Sequence, residues 1–214
     1  MTELSPDWAS GYNNLAAAYY QLGRWNEALA TYQKSLALEA NADAQANMGT
    51  AYYYLGLYSE AAKALEKAAQ MDSNNHELVS NLAEAYRQMG QRDKAMTLYD
   101  RAIQLALKAY QVNQRDATTL GDLAAYYAKK GDLNRAQDFM TRARAIEPDN
   151  NRLMYDEAWI QARAGKSAEA FKGLRAALLK GYPPEVAKSD PELSGMRSSP
   201  DFEKLMKEFS RKTQ

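Results

Sequence analysis

Asparagine stands at positions 14, 47 and 81, and aspartate continues the series at 122 and 156, at intervals of 33, 34, 41 and 34 residues. A primary amide carries one acceptor and two donors, enough to bracket a peptide bond of an extended chain. Asn14, Asn47 and Asn81 on neighbouring copies of one structural unit would therefore hold a peptide backbone irrespective of its sequence. The same residues would serve equally as local packing within each unit, and the spacing by itself leaves both roles open. At related offsets stand Tyr20, Tyr53, Tyr54 and Arg87, and further along the chain Tyr155 and Trp159, the last of which would equally serve as a docking point for Leu193 or Phe202 of the tail. Half-buried tyrosines and tryptophans are common contact anchors, because they present apolar area together with a polar handle.

Catalytic chemistry finds no comparable constellation. His76 is the single histidine, and it falls beside Asn74 and Asn75, where a surface or capping role is expected. Gly165-Lys166-Ser167 imitates the end of a phosphate-binding loop, but that motif needs a glycine five residues before Gly165, where Ile160 stands. No cysteine is present, so disulfides and thiolate metal sites are excluded, and the carboxylates form no calcium-loop pattern. The reading is of a chain that is not an enzyme and needs no cofactor.

Composition narrows the partners. Over 214 residues, 27 basic and 27 acidic side chains cancel. Phosphate-backbone binding needs a concentrated basic surface, which makes nucleic acid a poor partner. No apolar run approaches the ~20 residues that span a bilayer, so membrane insertion is not expected. The cytoplasm is the favoured compartment, with the periplasm if the whole protein is anchored. Apolar residues make up 46% of the chain, sufficient for a sizeable core.

The elements that must position these side chains emerge from the chain's period. Gly23, Gly56, Gly90, Gly131 and Gly165 each close one helical pattern and open another. Eight residues before each stand Leu15, Met48, Leu82, Leu123 and Glu157, and four before it Tyr19, Tyr52, Tyr86, Tyr127 and Gln161. Five residues after it is always alanine: Ala28, Ala61, Ala95, Ala136 and Ala170. Small residues let two helices approach closely while large ones fill the space alongside. Each two-helix hairpin carries apolar stripes it cannot bury alone, so it needs neighbours like itself.

This phase resembles the tetratricopeptide (TPR) repeat, whose signature runs W-x₂-L-G-x₂-Y…A-x₃-F…A…P over 34 residues. The resemblance covers about residues 9–181, with a full match to the closing proline at Pro148. It implies an all-α fold, a right-handed superhelix of five helix–turn–helix repeats with a concave face built from the first helix of each. The repeats are expected at 9–41, 42–75, 76–116, 117–150 and 151–181, with 1–8 as the end of a preceding repeat or a short cap and 182–214 as a helical C-terminal cap. The asparagine row is similar to the ladder in the TPR array of O-GlcNAc transferase, although Asp122 and Asp156 shorten it to three rungs. TPRs that clamp C-terminal carboxylates carry Lys or Arg on the first repeat's inner face; Asn13 and Ala17 stand there instead, which disfavours that partner.

Departures from the pattern carry expectations of their own. The third repeat is seven residues long in excess, which predicts a second helix longer by ~10 Å and a protruding end near Leu107–Val112. The tail, with Asp190-Pro191 and Ser199-Pro200 as helix starts, supplies Leu193, Met196, Phe202, Leu205, Met206 and Phe209 as an apolar face. It is similar to the tail closing TPR arrays in bacterial multidomain regulators, among them transmembrane Ser/Thr kinases, adenylate cyclases and winged-helix regulators. Leu4-Ser5-Pro6-Asp7 reads as the close of an earlier repeat and leaves the first helix uncapped, so the chain is read as a piece of a longer protein. The function expected is a scaffold binding a protein or extended peptide along the groove, through Asn14, Asn47, Asn81, Tyr20, Tyr53, Tyr54, Arg87, Tyr155 and Trp159. The alternatives are a homodimer formed through the uncapped first helix around Trp8, Tyr12 and Leu15, or a regulatory segment of a kinase or transcription regulator.

Overall fold

A computed structural model describes residues 8–210. The motif at Leu4–Asp7 lies outside the described residues. Thirteen α-helices and no strand occur among those that are described. Ten form hairpins: α1 (Ala9–Gln21) with α2 (Trp25–Leu38), α3 (Ala42–Tyr54) with α4 (Tyr58–Met71), α5 (His76–Gln88) with α6 (Arg92–Val112), α7 (Ala117–Lys130) with α8 (Leu133–Ile146), and α9 (Asn151–Arg163) with α10 (Ser167–Leu179). The tail adds α11 (Pro184–Ser189), a 3₁₀ turn at Pro191–Leu193, α12 (Ser194–Arg197) and α13 (Pro200–Ser210). None of the described helices is long and apolar enough to cross a membrane.

Local chemistry accounts for the boundaries. The amide N–H groups that open α3, α5, α7 and α9 donate to the side chains of Asn41, Asn75, Asp116 and Asn150, satisfying donors that have no partner within the helix. At Gly56 the chain reverses with φ +75°, a conformation that strains any residue carrying a Cβ. The other repeat glycines adopt the same left-handed region.

The chain divides into two compact units, the first ending at Ala102 and the second beginning at Ile103, within α6. In the first unit, α4 packs between α3 and α5, and Ala61, Ala62, Leu65 and Ala68 meet Leu78 and Leu82 in one cluster. Close approach of α3 to α4 depends on Gly49: a Cβ there would fall 2.7 Å from the Leu65 Cγ and 3.3 Å from the Ala61 carbonyl oxygen. A second cluster joins Ala16, Ala28, Tyr32 and Ala44.

In the second unit the tail closes over α9 and α10. Leu193, Met196, Phe202, Leu205, Met206 and Phe209 are all buried, and Arg175 forks onto Glu208 of α13 at 2.9 and 2.8 Å. The long helix α6 has 21 residues where its counterparts have 13 or 14, as the insertion predicts. Its end is held rather than loose. Arg142 of α8 lies over the rings of Tyr110 and Phe139 and donates to the Tyr110 hydroxyl, while Val112 at the tip stands 90% exposed.

Candidate peptide-binding face

Asn14, Asn47 and Asn81 occupy equivalent positions on α1, α3 and α5, which are neighbours in the first unit. Asn14 and Asn81 are exposed and Asn47 is half-buried. Among the described residues, none of the three side-chain amides has a hydrogen-bond partner. Their donors and acceptors remain available for a ligand.

An aromatic cluster gathers at the C-terminal ends of α1 and α3. Tyr20 and Tyr54 meet edge-to-face at 5.7 Å, and Trp25 stacks on Tyr54 at 5.0 Å while meeting Tyr20 edge-on at 5.0 Å. Tyr53 continues the run, edge-on to Tyr54 at 5.6 Å and to Tyr58 at 5.5 Å. All five rings are half-buried, so each keeps surface for a partner while its neighbours hold its orientation. Trp25 and Tyr58 escaped the sequence reading. The signal was present, since both stand two residues after a repeat glycine.

A buried carboxylate anchors the far end of the cluster. Glu84, 6% exposed, accepts the Tyr53 hydroxyl at 3.2 Å and the Tyr99 hydroxyl, and pairs with Arg87 at 2.8 Å. Gln88 donates to the Tyr53 hydroxyl oxygen at 3.2 Å. Arg87 is thus already engaged by Glu84, and its role on this face is to complete a neutral polar cluster that orients Tyr53.

Tyr155 and Trp159 require a correction as contact residues. Of the two readings open for this pair, partner contact and docking by the tail, burial favours the second: they are 2% and 3% exposed. Tyr182 stacks on Tyr155 at 4.0 Å, and the Tyr155 hydroxyl donates to Asp190 at 2.7 Å. The Trp159 indole N–H donates to Asp156 at 3.0 Å. Both rings serve as the surface on which the second unit packs rather than as contacts for a ligand. Burial raises the Asp190 carboxyl from the ordinary 3.8 to about 6; the Glu192 amide and the Tyr155 hydroxyl act in the opposite direction.

The asparagine row ends for a visible reason. Asp122, at the equivalent place in α7, is 1% exposed and ion-paired with Arg152, which also reaches Asp156 at 3.7 Å. A charged pair in the second unit occupies what are free amides in the first. His76 is the first residue of α5, and Lys166 precedes α10 in the turn after Gly165. Among the described residues no group of His, Asp or Glu is placed to hold a metal ion.

The family model of the tetratricopeptide repeat matches residues 8–74 and 76–149. The chain belongs to the tetratricopeptide repeat family. Two solved structures agree on the fold. TTC0263, a thermophilic TPR protein of Thermus thermophilus, is 20% identical, with a TM-score of 0.64 over 87% of this chain and 99% of its own. A chain of the APC/C hetero-tetramer Cut9–Hcn1 is 14% identical with a TM-score of 0.56, over 91% of this chain and 36% of its own. PcrH, solved in complex with the chaperone binding region of PopB, is 28% identical over 50% of this chain and 88% of its own, with a TM-score of 0.47. No curated protein matches the chain. TPR arrays are in general non-catalytic protein-interaction folds, and this chain has that architecture.

Proposed function

We propose that this TPR protein is a scaffold whose first unit binds an extended segment of a partner protein along α1, α3 and α5. Asn14, Asn47 and Asn81 bracket the partner's backbone, and Tyr20, Tyr53 and Tyr54, with Trp25 and Tyr58, receive its side chains. Arg87 holds its place through Glu84. The observation that carries this reading is the coincidence in the first unit of three amides without partners among the described residues, on α1, α3 and α5, with five half-buried rings, three at the ends of α1 and α3 and two at the starts of α2 and α4. Backbone recognition by amides is sequence-tolerant, whereas an aromatic anchor selects for apolar or proline-containing side chains.

The test is a peptide selected by display against the chain, with its affinity compared between the wild type and the double variant Asn47→Ala/Asn81→Ala. We expect a loss of about 1–3 kcal/mol across both sites. Unchanged affinity with an unchanged circular dichroism spectrum would sink the ladder. We further infer that the chain serves as a non-catalytic module of a larger regulatory protein; the resemblance of residues 177–206 to the tails of bacterial regulators supports this. The coding sequence upstream decides it.

A further inference from the structure

The amide row has a period, and a period selects a ligand conformation. At their Cα atoms α3 comes within 8 Å of both α1 and α5, which sets the helix axes about 8–10 Å apart. Asn14, Asn47 and Asn81 recur once per helix, so the rungs share that spacing. To meet all three, a bound chain must present the same backbone groups in the same orientation at that interval. A β-strand repeats its orientation every two residues, about 6.7 Å, or every four, about 13.5 Å, and neither fits. An α-helix has its backbone groups bonded to one another. Polyproline II repeats every three residues, about 9.3 Å, with its backbone open to partners. One turn of it spans one repeat.

Rungs and rings fix what stands at each of the three positions. An amide that engages both backbone groups of a residue needs its N–H, so the residue at each rung is not proline. The two positions between rungs, about 120° apart around the ligand, tolerate proline. Proline there locks φ and restrains the residue before it, so the ligand arrives preformed. Asn47 and Tyr54 stand at i and i+7 on one stripe of α3, which places one ring of the cluster on the face that carries the row. Trp25 stacks on Tyr54 with 13° between their planes, and Tyr20 meets both edge-on. The Trp25 indole N–H has no acceptor among the described residues. Flat rings with a donor at the edge suit proline, which offers an apolar ring and a carbonyl but no backbone N–H.

Charge narrows the ligand further. α1 carries no charged residue, α3 only Asp43, and α5 Glu77 with the paired Glu84 and Arg87. Asp43 and Glu77 stand in first turns, where the helix dipole answers them. An acidic ligand would meet these two carboxylates and, in Arg87, a cation already paired. On the footing that α1, α3 and α5 form the peptide groove, we propose that its ligand is an uncharged proline-rich segment in polyproline II conformation. It lies one turn per repeat, with Pro-Pro between small rung residues that keep their N–H.

The probe is a fluorescein-labelled peptide of four Ala-Pro-Pro units, titrated with the full chain by fluorescence anisotropy. Its control has the same composition, as two Ala-Ala-Pro-Pro-Pro-Pro units. That peptide is still polyproline II, but proline falls on at least one of any three successive rungs. The phased peptide should bind about fivefold tighter or more, the effect of one rung contact. Asn47→Ala/Asn81→Ala should erase that difference. Trp25→Ala in the chain, or glutamate in place of the four alanines in the peptide, should weaken binding about tenfold. Equal affinity of the two peptides overturns the proposal, as does a difference that survives the Asn double variant or absence of saturable binding up to about 1 mM. Undiminished binding of the glutamate peptide, or by a folded Trp25→Ala chain, overturns it too. Both peptides are compared on the unaltered chain, so that result stands whether or not Trp25→Ala keeps its circular dichroism spectrum. A display-selected peptide that loses affinity in the Asn double variant but lacks the three-residue proline phase would overturn the polyproline assignment and leave the groove in place. If no selected peptide loses affinity there, the groove itself falls.

Discussion

Replacing Glu84 by glutamine tests the polar cluster that orients Tyr53. The side chains are nearly isosteric, so packing is preserved while the charge and one acceptor are lost. Glu84 receives two tyrosine hydroxyls and the Arg87 guanidinium on its two oxygens. A glutamine keeps one oxygen, enough for one hydroxyl; its amide nitrogen faces the other hydroxyl and the cation as a donor. Hydrogen bonds to a charged group contribute about 1.5–3 kcal/mol each, and breaking a buried pair by removing one partner costs about 3–5 kcal/mol. The Arg87 side chain keeps 25% of its surface in solvent, so hydration recovers part of its loss. The net expectation is a destabilisation of about 2–4 kcal/mol, or roughly 10–20 °C in Tm for a unit of about 100 residues. Urea unfolding followed by circular dichroism reads the size, and amide exchange along α5 reads the location. A double-mutant cycle with Tyr99→Phe should give a coupling of about 1–3 kcal/mol. A coupling below about 0.5 kcal/mol, or a Glu84→Gln cost below about 1 kcal/mol, would refute the claim that this carboxylate ties α3, α5 and α6 together.

Two further outcomes follow from the same structure. Ala61→Leu should cost about 1–3 kcal/mol by overpacking, since Ala61 is 0% exposed at the place where α3 and α4 approach over Gly49; an unchanged urea midpoint would show the contact to be looser than described. For Asp190 the folded-state carboxyl titrates near 6 against 3.8 unfolded, chiefly because of its burial. The folded tail therefore holds that proton more tightly. Its stabilisation is full below about pH 4, declines as pH rises to about 6, and is at most about 3 kcal/mol. Asp190→Asn should remove this difference between pH 4 and pH 7 while keeping the cap on the Glu192 amide, and an identical pH profile in both proteins would contradict it.

The hairpin architecture was legible in the sequence because it is set by local chemistry repeated in phase. Gly56 adopts the positive φ its position required, and Ala61, the repeat alanine, is fully buried where α3 and α4 meet. The length of α6 followed from counting residues. What the sequence left open was which side chains meet across hairpins. Trp25 and Tyr58 join Tyr20, Tyr53 and Tyr54 only because the turns after Gly23 and Gly56 bring the start of each second helix beside the end of the first. Glu84 reads as one more surface carboxylate until Tyr53 and Tyr99, 31 and 15 residues away, close over it. Tyr155 and Trp159 have the composition of contact residues, and only the fold-back of Tyr182 and Asp190 turns the Tyr155 ring into core. Periodicity determines which face of each helix is apolar. Whether that face is covered by a neighbouring hairpin or by the tail is decided by tertiary packing alone, which is why the apolar face of the tail is buried in the second unit.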